Sequence, residues 1–90
     1  MSTRADLVAA LFSPARLTVG ELARKLEASP IEVEGFYCGL RHLAIVDRED
    51  DVDGGIWERT QDAPATPLAM LHRIGEAGID VTTELRRVRI

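Results

Sequence analysis

Two groups of polar side chains have spacings that chemistry uses. Cys38 and His42 stand four apart, so on a helix they would share one face as a pair of metal ligands does. A zinc site needs four donors, and the chain offers one more histidine, His72, and no second cysteine. Glu49, Asp51, Asp53 and Gly54 repeat the first half of a calcium loop, with carboxylates at alternate positions before a glycine. The bidentate carboxylate that closes such a loop is missing, because Thr60 stands in its place. No metal and no cofactor are therefore expected. Catalysis is not expected either. The one lysine, Lys25, falls on a framework helix, there is no glycine-rich phosphate loop, and Ser, His and Asp show no nucleophile-and-base spacing.

The elements that would position these residues are marked by their ends. Thr18 precedes Glu21 by three, and Ser29 precedes Pro30 and Glu32, two capping boxes that start helices near Val19 and Pro30. Leu22, Ala23 and Leu26 share a face of the first, and residues 27–29 leave room for a tight turn. Val33, Phe36, Tyr37, Leu40 and Leu43 make the core-facing stripe of the second. Upstream, Leu7, Val8, Leu11 and Phe12 space an earlier helix that ends at Ser13 and Pro14. Ile45 and Val46 open a strand, Asp53, Gly54 and Gly55 form a turn, and residues 56–60 return as a second strand.

The string LTVGELARKLEASPIEVEGFYCGLRHLAIVDRE followed by GGIWERT resembles the winged helix-turn-helix superfamily over roughly half the chain. The L-A-x-x-L helix, the serine-capped second helix with its Val, Phe and Leu positions, and the strand-turn-strand wing carry the likeness. Ala44 departs from it, since such proteins usually place a helix-ending glycine there. The expected fold is mainly α with a small β wing, a winged helix-turn-helix with an extra C-terminal helix and strand. Residues 1–61 would hold the helices and wing, 62–67 a proline-bearing linker, and 68–90 the accessory pair, all in one domain. In that pair Leu68, Leu71 and Ile74 space a helix that Gly75 weakens and Gly78 ends, while Ile79, Val81, Thr83 and Leu85 alternate as a strand would. A rival reading makes residues 71–84 a second helix-and-wing unit, because their end weakly echoes residues 39–49.

The resemblance implies a DNA-binding regulator acting as a homodimer. Contact with double-stranded DNA would run through Arg41, His42, Arg48 and Arg59, aided by Lys25 and the tail arginines Arg86, Arg87 and Arg89. Arg16 and Arg24 lie near the first helices as further cations. The charge distribution opposes this. The net charge is −4, and residues 27–58 hold nine carboxylates against Arg41 and Arg48 alone, on the elements that would touch phosphate. If Val33, Phe36, Tyr37 and Leu40 point inward, Ile31, Gly35, Cys38 and His42 point outward with Gly39 beside them, and none is a usual base-reading side chain. The alternative expectation is a protein-interaction module that uses this small-residue face and the acidic wing. Trp57 would be a stacking platform or part of the core or rim.

At 90 residues, 46% apolar and 29% charged, the chain has the composition of one small soluble domain. Its longest apolar runs, 7–12 and 43–46, fall well short of the roughly 20 residues that span a bilayer. No export leader is evident, and a lone cysteine suits a reducing compartment, so the expected location is the cytoplasm, away from membranes.

Overall fold

The computed structural model describes residues 3–88, with side chains described to residue 86. The order is α1 (Thr3–Ala10), α2 (Val19–Leu26), α3 (Pro30–His42), β1 (Val46–Asp50), a short 3-10 turn (Val52–Gly54), β2 (Ile56–Arg59), α4 (Pro67–Glu76) and α5 (Thr82–Val88). The chain is mainly helical with a small antiparallel sheet of two strands.

Helix starts follow side-chain chemistry. At α2 the Thr18 hydroxyl accepts from the Glu21 amide at 3.1 Å, and the Glu21 carboxylate accepts from the Thr18 amide at 3.0 Å. This reciprocal pair satisfies two donors that the first turn leaves free. The second expected box does not form. Ser29 makes no side-chain cap, and Pro30 at the first helical position removes one donor instead. Thr66 caps α4, accepting from the Ala69 amide at 3.1 Å, with Pro67 following.

At the end of α3 the backbone turns left-handed at Ala44, φ 61°, a conformation that glycine takes at no steric cost. The chain then enters β1. It pairs with β2 in the register Val46↔Arg59, Asp47↔Glu58 and Arg48↔Trp57, with an irregularity before Asp50↔Ile56. Thr18 adds an isolated antiparallel bridge to Ile56, and the Val19 amide donates to the Gly55 carbonyl at 2.9 Å. The hairpin is thus bonded along its edge to the entry of α2.

One cluster of buried side chains joins all these parts. Leu7 and Val8 come from α1, Val19, Leu22 and Ala23 from α2, Val33, Tyr37 and Leu40 from α3, and Trp57 from β2. Ile45 just before β1, Val46 at its start, Met70, Leu71 and Ile74 of α4 and Val81 before α5 complete it. Trp57 is therefore core, stacked on Tyr37 with ring centroids 5.9 Å apart.

The strand expected near the C-terminus is a helix. Residues 82–88 form α5, and the Asp80 carboxylate accepts from the Thr82 amide at 3.1 Å just before it. Val81 and Leu85 stand four apart and both approach α4 at Gly75, where an added Cβ would lie 3.3 Å and 3.9 Å from them. Alternation over 79–85 was a coincidence of two residues at helical spacing, and the sheet offers these residues no partner edge. The rival second helix-and-wing unit fails for the same reason. Gly75, read as a weak point, is a close-packing point.

Candidate interaction surface on α3 and the hairpin

The exposed surface of α3 starts at Ile31, which is 85% exposed, and runs through Gly35 to Arg41 and His42, both exposed. An added Cβ at Gly35 would meet nothing within 4 Å. The rest of the expected face is turned further inward. Cys38 is half-buried and packs against the core, and the space beside Gly39 is covered by Ile79, whose Cδ1 lies 3.8 Å from an added Cβ. Phe36, expected in the core, is only half-buried, with the Arg4 guanidinium 5.9 Å from its ring centre. The helix is rolled so that Val33, Tyr37 and Leu40 hold the centre while Phe36 sits towards α1.

The hairpin places like charges opposite each other at Asp47↔Glu58, an unfavourable pairing unless cations come from elsewhere. Arg16 supplies one, with its guanidinium on both Glu49 and Glu58. Arg41 supplies another, 3.8 Å from Asp47. Arg48 lies over the Trp57 ring at 5.7 Å, and Arg59 over the Phe12 ring at 4.0 Å while donating to the Pro64 carbonyl. Arg24 is 3.8 Å from Asp53.

The turn of the hairpin is folded onto the start of α2. Asp53, at φ 53°, accepts from the Thr18 hydroxyl at 2.8 Å, and its carboxylate occupies the space an added Cβ at Gly20 would need. A Cβ on Gly54, φ 85°, would lie 2.7 Å from the Val19 Cβ. A carboxylate at a helix N-terminus is favoured by the free amides and the dipole there. Sequence reasoning read Asp53 as a turn residue and as one carboxylate of an incomplete calcium loop, not as a partner of α2; the signal available was Gly20 in the first turn of an otherwise well-formed helix.

Of the residues nominated for DNA, Arg41, His42, Arg48 and Arg59 lie on α3 and the hairpin, with three of the four engaged as described. Lys25 and Arg86 are exposed on α2 and α5 and make no ion pair among the described residues. The side chain of Arg87 and all of Arg89 lie outside the described residues. Arg16 and Arg24, expected as available cations, are committed to the hairpin's carboxylates.

Two groups on the frame titrate abnormally. Burial pushes the Tyr37 hydroxyl well above the usual tyrosine range, and it donates to the Leu7 carbonyl at 2.7 Å. Hydrogen bonds from the Thr82 amide and hydroxyl hold the Asp80 carboxyl below the usual range.

Among the described residues no group of three or more His, Cys, Asp or Glu is placed to hold a metal, and no helix is long and apolar enough to cross a membrane. No protein-family model, curated protein or solved structure matches this chain.

Proposed function

We propose that this chain is a winged-helix module whose α3 and hairpin dock a protein. In this reading α2, the turn at 27–29 and α3 are the helix-turn-helix, and the β1–β2 hairpin, extended by the Thr18 bridge, is the wing. The observation that carries the choice of partner is the state of the arginines. Arg16, Arg24 and Arg41 are paired with the hairpin's own carboxylates, and Arg48 and Arg59 lie on aromatic rings. A duplex would have to strip these contacts to gain phosphate contacts beside an acidic hairpin, whereas counterion release needs free cations. Exposed Ile31 and open Gly35 offer a protein an apolar contact beside Glu32 and Glu34, so the fitting partner presents an apolar side chain flanked by basic ones.

The second reading is a DNA-binding regulator acting as a homodimer. It is favoured by Lys25 and Arg86, exposed without ion pairs among the described residues, and by Arg41 and His42 exposed together at the end of α3. Fluorescence anisotropy of a labelled mixed-sequence duplex at about 50 mM salt separates the two, since nonspecific binding is strongest at low salt. The expected result is no binding at tens of micromolar protein. Binding whose affinity falls steeply with salt, and whose slope flattens on reversing Arg41 and Arg48, overturns the protein-docking reading. A photo-crosslinker at Gly35 is expected to give a discrete product in the native host, and one at His72 is expected to give none.

A further inference from the structure

We propose that the cleft under the 11–17 segment binds a small apolar molecule carrying one negative charge. The cleft has a volume of about 540 Å³ and runs between α1, that segment, α2 and β2. This size falls within the roughly 300–1,000 Å³ of small-molecule sites. Ala10, Leu17, Leu22, Leu26 and Ile56 contribute apolar wall, and the buried Tyr37 and Trp57, stacked on each other, close the floor.

The charge follows from the rim. Glu58 is matched by Arg16, which leaves Asp6 against Lys25 and Arg59. Arg59 already covers Phe12, while Lys25 makes no ion pair among the described residues. The rim thus has a positive excess with an unmatched ammonium on one wall, complementary to a single carboxylate or sulfonate. Ile31, Gly35 and His42 do not line this cleft, and Tyr37 enters it from the buried side of α3. The cleft shares β2 with the docking surface proposed above but not the exposed face of α3, so Lys25→Gln on α2 tests it without touching Ile31 or Gly35.

The probe is 2-naphthoate, titrated into ¹⁵N-labelled full-length protein and followed by amide and indole resonances. Trp57 is the only tryptophan, so its indole signal reports the cleft floor without ambiguity. Saturable shifts of that signal and of residues 9–10 and 22–26 are expected. Lys25→Gln should weaken 2-naphthoate about fivefold, the size of one exposed ion pair, and leave neutral 2-naphthalenemethanol unchanged. Ala10→Phe should abolish both by filling the cleft. Lys25 is exposed, so its variant keeps the test alive if Ala10→Phe does not fold. No saturable shift at millimolar probe, shifts centred on Ile31 and Gly35, or binding that Lys25→Gln leaves intact would each overturn the proposal.

Discussion

Ala44 shows what one residue can reveal about a backbone. A helix that must turn into a strand within two residues needs a left-handed step, and alanine takes that step at a cost glycine avoids. The Ala44 amide donates to the Arg41 carbonyl at 2.9 Å, and its carbonyl accepts from the Thr60 hydroxyl at 2.8 Å, so the conformation is held from both sides. Ala44→Gly should therefore raise stability by about 0.5–1 kcal/mol, less whatever flexibility glycine adds to the unfolded chain. Thermal melting should show a rise of roughly 2–8 °C; an unchanged or lower midpoint would mean the strain is absorbed by neighbours. At this scale the sequence was informative where chemistry is local. Thr18 and Glu21 could be paired from their spacing, and the oddity of Ala44 could be seen. Ser29 could not be told from Thr18, because whether a hydroxyl turns towards the helix depends on surroundings that spacing does not encode.

Among the elements, the helices up to α4 and the hairpin were legible because each is bounded by caps, prolines or glycines. α5 was not, since Val81 and Leu85 satisfy both an alternating and a four-residue pattern, and the choice between them is made by the surface of α4 at Gly75. The outward face of α3 was only half legible for the same kind of reason: Ile79, forty residues beyond Gly39, covers part of it. The contact between the hairpin turn and α2 was also invisible to spacing, and it makes a prediction of reversed sign. Gly20→Ala should destabilise the protein, because the new methyl would occupy the place of the Asp53 carboxylate. In an Asp53→Gly background, which also relieves the left-handed strain at residue 53, the same substitution should become neutral or stabilise by up to about 1 kcal/mol, the helix preference for alanine. Denaturant melts of the four proteins test this as a double-mutant cycle. Equal effects of Gly20→Ala in both backgrounds would show that the turn does not rest on α2 in solution.

Over the whole molecule the two organising facts are the placement of charge and the position of one phenol. The net charge of −4 conceals arginines that cross from α2, α3 and the segment before α2 to neutralise the hairpin, so the excess of carboxylate is structural wiring as much as exposed surface. Tyr37 is where the remaining elements meet: it sits on α3, bonds the α1 backbone at Leu7 and stacks on Trp57 of β2. Its hydroxyl is raised above the usual tyrosine range by burial, so the folded protein keeps the proton when the unfolded chain releases it near pH 10. The stability that this protonated phenol contributes is whole below about pH 10 and falls as pH rises towards the folded-state value, by up to about 1.4 kcal/mol per pH unit. Tyr37→Phe loses the hydrogen bond and leaves the Leu7 carbonyl less well satisfied, about 1–2 kcal/mol at neutral pH, but it has no proton to lose. The difference in unfolding free energy between the two proteins should therefore be constant from pH 7 to about 9.5 and narrow above pH 10. Tyr37 is the only tyrosine, so absorbance at alkaline pH follows its ionisation directly and should rise together with loss of helix rather than before it. Ionisation that precedes unfolding, or stability curves that stay parallel through pH 11, would show that the phenol is open to water and that the α1–α3–β2 junction is looser than the fold described here.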